Sequence, residues 1–412
     1  MRATKVVTGR PVASNGSRRA LRTCAVLGVG IASAGLAATA SSAPATSLTL
    51  AAPTVVATGV PVRVHGAGAS PGERVQLVRR VGNGTTNVAS AVADDQGRFR
   101  LVYRPAAMPQ RLALLARSGP SASSTVHVTI RDVVLRAFGD IDFGDGVGSV
   151  MASRGVLWPW RGVAPLLRSA DVAFGNLECS ISRRGSPVPK AFQFRGSPAA
   201  LGRVVRYAGL DALNLANNHV GDYGTGAMLD TIRNVRRFGV LPIGAGATLR
   251  AAERPHVITR LGLRIAFVGF VDIGPTSFGA GPRKPGSVFM APVRVRAGVR
   301  AARREADVVI TSFHWGIERQ TTPTARQREF ANIAIQSGAT AVIAAHPHVL
   351  QPIRTPRRRR LIAYSLGNFV WAAGSPLTAR TGVLEVRLSA RGVEGSRLRR
   401  AVIEGTRPRL LH

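Results

Sequence analysis

The chain has 412 residues and 45% hydrophobic content, enough for two or three buried cores, which excludes wholesale disorder. Its 56 basic and 21 acidic residues give a formal net charge of +35. Such an excess favours polyanions: anionic cell-wall polymers, polyglutamate or nucleic acid. Nucleic acid is not expected, because no nucleic-acid motif is present and few aromatics interleave with the arginines.

Lysine occurs only at Lys5, Lys190 and Lys284, so the basic excess is almost all arginine and reads first as compositional drift. Residues 1–43 read as an export signal and linker. Arg2, Lys5, Arg10, Arg18, Arg19 and Arg22 form a basic leader, and residues 24–40 form an apolar small-residue stretch. Ala38-Thr39-Ala40 offers a cleavage site, with Ala43-Pro44-Ala45 as a second. "SRRALR" resembles a twin-arginine signal; an ordinary secretory signal and an uncleaved anchor are the alternatives. No second stretch reaches the roughly 18 apolar residues of a membrane span. With Cys24 in the leader, a mature chain keeps Cys179 alone and the fold must stand without an internal disulfide.

Residues 44–130 carry short alternating runs separated by turn signals such as Ser70-Pro71-Gly72. That spacing predicts a small antiparallel β-sandwich of roughly immunoglobulin size, acting as spacer or binding module. From 131 to 395 the rhythm changes to strands alternating with helices. Strands are expected at 133–140, 171–178, 211–219, 264–270, 307–315, 339–346 and 361–369, and helices at 225–239 and 325–338. The pattern fits an α/β layered fold with a largely buried sheet. Residues 396–412 read as a basic C-terminal tail, and Arg357 to Arg360 as an exposed hairpin tip.

The polar residues fall in telling places. Asp140, Glu178, Asn218-His219, His314 and His346 each follow an apolar run, at the carboxyl end of an expected strand. In α/β sheets those ends gather at one edge and form sites there. Carboxylates, a carboxamide oxygen and imidazoles are ligands for divalent ions of intermediate hardness. His346-Pro347-His348, read as an extended segment, puts both imidazoles on one side. The number of ligands exceeds what one tetrahedral ion needs and suggests two. Ser365 lacks the surroundings of a nucleophile and reads as packing near the site, and Trp315 as core.

"FGDIDFG", "GNLECSIS", "LANNHVGDYG", "FHWGIE", "AAHPHVLQPI" and "IAYSLGNF" occur in this order over roughly residues 132–390. Together they resemble the CapA family of poly-γ-glutamate capsule synthesis proteins, itself similar in motif layout to calcineurin-like metallophosphatases. The resemblance implies a layered metallophosphatase-like sheet sandwich flanked by helices. It implies a metal set of Asp140, Glu178, Asn218, His314, His346 and His348, holding divalent ions, two in number, of the Mn, Zn or Fe type. It makes His219 the catalytic residue that contacts substrate or protonates a leaving group, oriented by Asp222. Asp142 departs from the pattern, standing where metallophosphatases have histidine. The Glu at position 178 is one methylene longer than their bridging aspartate. The implied function is that of an exported, envelope-associated hydrolase of a phosphoester or γ-glutamyl amide in poly-γ-glutamate biosynthesis or export. The alternative is a non-catalytic polyanion-binding component of an export machinery. An anionic polymer and a membrane synthase or export complex are the expected partners.

Overall fold

The computed structural model describes residues 47–411. The leader, the twin-arginine-like stretch and both cleavage sites lie outside the described residues. No helix among the described residues is long and apolar enough to cross a membrane.

Residues 47–131 form strands only. One sheet runs in the order Val55–Ala57, Val126–Arg131, Gln110–Ser118, Arg74–Val81, Gly84–Val92, beside a separate pair Val62–Gly66 and Phe99–Tyr103. The apolar residues alternate along these strands, so Val64 and Leu101 of the pair share one core with Leu77, Leu114 and Val128 of the sheet. All these ladders are antiparallel except that of the edge strand Val55–Ala57, which runs parallel to Val126–Arg131.

Two larger sheets follow. In the first the spatial order is Leu241–Ile243, Ala212–Asn214, Val172–Leu177, Val133–Ile141, Arg380–Ser389, Gly392–Glu404 and Arg407–Leu410. Its first four strands are parallel and the rest antiparallel. In the second it is His256–Arg260, Leu263–Val271, Val308–His314, Ala341–Ala345, Leu361–Ala363 and Ile353–Arg354. Its central strands are parallel. The strands are buried on both faces, which is why they read as continuous apolar runs. Leu135, Phe174 and Ile243 of the first sheet meet Phe267, Ile310 and Ile343 of the second in one core. Helices cover the outer faces: Pro198–Ala208 and Gly224–Arg237 on the first sheet, Pro292–Glu305 and Ala325–Gln336 on the second. The layers are therefore helix, sheet, sheet, helix.

Local chemistry starts and stops these helices. Pro198 opens its helix and Gly209 closes it at φ 70°. Thr324 and Gln327 form a reciprocal cap on the helix Ala325–Gln336.

Several expected boundaries move. The expected tail 396–412 is instead part of the fold: residues 396–404 and 407–410 lie in the strands Gly392–Glu404 and Arg407–Leu410, which complete the first sheet, and residue 412 lies outside the described residues. Its arginines hid the alternation, because Arg397 and Arg399 lie on a strand that also buries Ala401 and Ile403. The run 361–369 divides into Leu361–Ala363 of the second sheet and Asn368–Val370, which pairs with Val133–Ile141 of the first. The run 211–219 is strand only over Ala212–Asn214. Arg357 and Arg358 are exposed at the turn between Ile353–Arg354 and Leu361–Ala363.

Candidate metal centre

The carboxyl ends of the parallel strands meet where the two sheets face each other. In the first sheet the register aligns Asn214 with Asn176, Asn176 with Asp140, and Asp140 with Asn368. A polar row thus crosses the sheet, with Asp140 and Asn176 one step before their strands end, Asn214 at the end of its strand and Asn368 at the start of its own. Asn214 Nδ2 donates to Asn176 Oδ1 at 2.9 Å, and Asn176 Nδ2 donates to Asp140 Oδ1 at 2.8 Å. Asn176 Nδ2 also lies 3.2 Å from His314 Nδ1, tying the row to the second sheet.

The row depends on a close backbone approach. A Cβ on Gly139 would fall 1.7 Å from the carbonyl oxygen of Gly367. That same oxygen accepts the Asp140 N–H at 2.9 Å. Only glycine at 139 lets the Asn368 strand lie against Asp140.

The structure brings all six expected ligands together at this edge. Asp140, Glu178 and His314 form one group that could hold an ion, and Glu178, His346 and His348 form a second. Glu178 belongs to both. Asn218 joins them through Oδ1, which lies 2.7 Å from His314 Nε2. His348 Nδ1 sits 2.8 Å from Asn368 Oδ1 and 3.3 Å from Asp140 Oδ2, which fixes the ring and leaves Nε2 free.

His346-Pro347-His348 is not extended, as its spacing suggested. His346 and His348 adopt φ of 96° and 57°, in the left-handed region that side chains disfavour. The strand ends at Ala345, and the two imidazoles reach the same group through a strained turn. Such strain clusters at functional sites.

The donor set fits divalent cations on its own terms. Glu178 is fully buried; His314 Nε2 lies 3.1 Å from its Oε1, but neither Oε1 nor Oε2 receives a well-aligned hydrogen bond, and His346 Nδ1 is likewise without a partner. Buried polar atoms are ordinarily paired. Burial, together with neighbouring Asp140, pushes the Glu178 carboxyl well above its usual range. Burial also pushes His314 and His346 well below theirs, so both are neutral and offer lone pairs. A cation placed among these groups would stabilise the carboxylate and use those lone pairs.

Asp142 stands apart. Its Oδ1 accepts the backbone N–H groups of Phe143 (2.7 Å) and Gly144 (2.9 Å), closing the turn after the strand. Burial raises its carboxyl to about 7. It belongs to neither ligand group. Cys179, buried and free, lies beside it. Ser365 is also fully occupied: its hydroxyl donates to the Val349 carbonyl at 2.7 Å and accepts the Gly367 N–H. Trp315 is core, stacked on Phe313 at 4.2 Å.

His219 faces a cavity of about 320 Å³ in which His348, Asn368, Phe194, Trp371 and Arg319 also take part. Its Nδ1 lies 2.7 Å from Asp222 Oδ2. Burial holds His219 below its ordinary range, opposed by the Asp222 bond. Phe194 stacks on His219 at 4.3 Å, and Trp371 on His348 at 4.8 Å.

The chain belongs to the bacterial capsule synthesis protein family PGA_cap. The family model matches residues 134–373, the stretch that holds the whole ligand set. The chain is 30% identical over 279 residues to the PGA biosynthesis protein CapA of Bacillus subtilis, across 67% of this chain and 73% of that one. It is 30% identical over 274 residues to the capsule biosynthesis protein CapA of Bacillus anthracis, across 65% and 66%. A probable polyglutamine synthesis accessory protein of Mycobacterium tuberculosis matches at 30% over 232 residues, across 52% and 59%.

Several site residues of this capsule synthesis family member escaped the sequence reading, among them Asn176, Lys190, Phe194, Arg319, Asn368 and Trp371. Asn176 was visible as the polar residue inside "GNLE", two before Glu178. Lys190 carried a compositional signal, being one of three lysines. Phe194 and Trp371 carried none, since aromatic residues in loops are indistinguishable from core until the fold is known.

Proposed function

We propose that this protein is an exported, envelope-associated component of poly-γ-glutamate or related capsule-polymer biosynthesis, and that its α/β module is a two-ion hydrolase. The observation that carries the reading is Glu178, shared by two overlapping ligand groups, with both oxygens buried and neither accepting a hydrogen bond. Asp140, Glu178, His314 and Asn218 would hold one divalent ion and Glu178, His346 and His348 the other; the ions would supply Lewis-acid stabilisation of charge on a phosphoryl or amide-carbonyl oxygen.

The chain's own residues do the rest. His219 donates Nδ1–H to Asp222, which leaves Nε2 as the nitrogen that exchanges a proton in the cleft. Asp222 stabilises the imidazolium through which His219 hands that proton to the departing oxygen or nitrogen. Phe194 and Trp371 hold the two histidine rings against apolar faces and exclude water. Arg319, exposed at the cavity rim, is placed to meet an anionic group of the substrate.

The test is elemental analysis of the purified full chain beside His346→Ala/His348→Ala, followed by assays on a bis-aryl phosphodiester and a γ-glutamyl anilide. We expect about two transition ions per parent chain, fewer in the variant, and turnover lost in His219→Ala. A parent that takes up no Mn²⁺, Zn²⁺ or Fe²⁺ on reconstitution refutes the hydrolase reading.

A second reading has its own support. A separate cavity of about 530 Å³ is lined by Arg183, Arg184, Arg203, Arg206 and Arg237, with Asp230 as its one acidic residue. Arginine forks match carboxylates, so this surface suits an anionic polymer. Salt-sensitive binding of poly-γ-glutamate without turnover would make the protein a polymer-handling partner of a synthase or export complex.

A further inference from the structure

Lys190 is one of three lysines among 56 basic residues. Of the two within the described residues, Lys284 is exposed, whereas the Lys190 side chain is only 17% exposed. Its ammonium donates to the Asn218 carbonyl at 2.7 Å and to Asp222 Oδ1 at 2.7 Å, with His219 Nδ1 3.1 Å away.

Asp222 is fully buried and is the hub of the loop that carries Lys190. Its carbonyl accepts the Val188 N–H at 2.8 Å. Its Oδ2 accepts the Phe194 N–H at 2.7 Å, beside His219 Nδ1. Residues 188–194 are thus closed on a single aspartate by two backbone bonds and one ammonium. The closed loop presents Phe192 and Phe194 to the cleft, and Phe194 stacks on His219.

An ammonium is a compact point charge with three donors spreading from one atom. A guanidinium distributes five donors over a rigid plane. Two oxygens each 2.7 Å from a single nitrogen, one on a main chain and one on a buried carboxylate, suit the first geometry. In a chain where arginine is the default cation, that demand accounts for a lysine here.

We infer that Lys190 is a positioning residue for His219: a strap that closes residues 188–194 onto the Asn218–Asp222 turn. It fixes the His219 ring, the turn bearing Asn218 and the aromatic wall of the cleft together. Its bearing on turnover rests on the hydrolase reading; the strap itself does not.

The test uses the full chain as Lys190→Gln, Lys190→Arg and Lys190→Cys. The last is also alkylated with 2-bromoethylamine, which restores an ammonium at lysine's length. Buried Cys179 is shielded, and parent protein treated identically controls for Cys24. Hydrogen exchange is read by mass spectrometry across residues 183–196, with bound metal measured in parallel. We expect exchange in 188–194 to be about tenfold faster or more in the Gln and Arg variants. Exchange in Val172–Leu177 should stay at parental rates, and the alkylated Cys variant should return to them throughout. Parental exchange in the Gln variant, or an Arg variant as protected as the alkylated one, overturns the strap. Should the Gln and Cys variants fail to fold, the charge-retaining Arg variant decides alone: accelerated exchange supports the strap and parental exchange overturns it. A chain that binds no metal yet shows the rescue keeps the strap and loses the hydrolase reading. A metal-loaded chain whose loop ignores Lys190 does the reverse.

Discussion

The two ends of the parallel strands use the same acidic chemistry to opposite purposes. Where strands begin, Asp171, Asp211 and Asp307 are each answered, while Asp132 ahead of Val133–Ile141 has Oδ2 paired with Arg387 and Oδ1 buried without a partner. Asp171 accepts both Nη atoms of Arg131 at 2.7 Å and the Val134 N–H at 2.8 Å. Asp211 accepts the Ala173 N–H at 2.8 Å and Arg260 at 2.7 Å. Asp307 accepts the Arg264 N–H and its guanidinium, both at 3.0 Å. Where strands end, Glu178 has two buried oxygens with no hydrogen-bond partner and His346 one such nitrogen. The first edge stitches neighbouring strands together. The second leaves desolvated ligands facing one another, a cost that a bound cation, or a proton held on Glu178, would offset.

The largest effect is expected from Gly139→Ala. A methyl group 1.7 Å from the Gly367 oxygen must push the Asn368 strand off the Asp140 strand. We expect a loss of about 3 kcal/mol or more in urea unfolding, accompanied by loss of bound metal. Asp171→Ala sharpens the contrast. It should cost about 2–4 kcal/mol by leaving Arg131 and the Val134 N–H unanswered, yet leave the metal content of the folded protein unchanged. Loss of metal in Asp171→Ala would show that the two edges are not separable.

How much of this was legible follows from what each signal depends on. Asp140, Glu178, His314 and His346 could be found because burial on both faces makes each strand a continuous apolar run, and a polar residue ends it visibly. The same logic failed where a run spans two elements. "LIAYSLGNF" is buried throughout, yet its Gly367, at φ 64°, turns the chain from one sheet to the other. The bend at His346-Pro347-His348 was illegible because left-handed φ values at two histidines oppose local preference and are held by tertiary contacts. Lys190 reaches Asp222 across 32 residues, a pairing that no local pattern encodes.

A smaller effect of opposite sign is expected at the site edge. Glu178→Gln should stabilise the metal-free protein by about 1–2 kcal/mol, because a buried amide is cheaper to leave unpaired than a carboxylate. It should also remove the gain from added metal, which for the parent is about 2.7 kcal/mol at a hundredfold excess over Kd. A Glu178→Gln protein that loses stability without metal would mean the carboxylate is paired in solution and the edge is ordinary.

The finest test is the pH slope, whose sign differs between the two edges. At Asp171 burial pushes the carboxyl up, but the Arg131 bonds and the Val134 N–H outweigh it, and the net shift is downward. The folded state then binds that proton less readily than the unfolded chain. Its contribution is present above the unfolded value of about 3.9 and is lost as pH falls through the folded one. At Glu178 burial and Asp140 both push upward. The folded, metal-free state then holds that proton more readily. Its contribution is present below the unfolded value of about 4.3 and is lost as pH rises through the folded one. Urea unfolding of metal-free parent, Asp171→Asn and Glu178→Gln from pH 3 to 8 separates the two. The parent should lose stability relative to Glu178→Gln as pH rises above about 4.3, by at most about 1.4 kcal/mol per unit. Relative to Asp171→Asn it should lose stability only on the acid side. Parallel curves for the parent and Glu178→Gln would mean that Glu178 sits in the fold as comfortably as Asp171, and the distinction between the edges would fail.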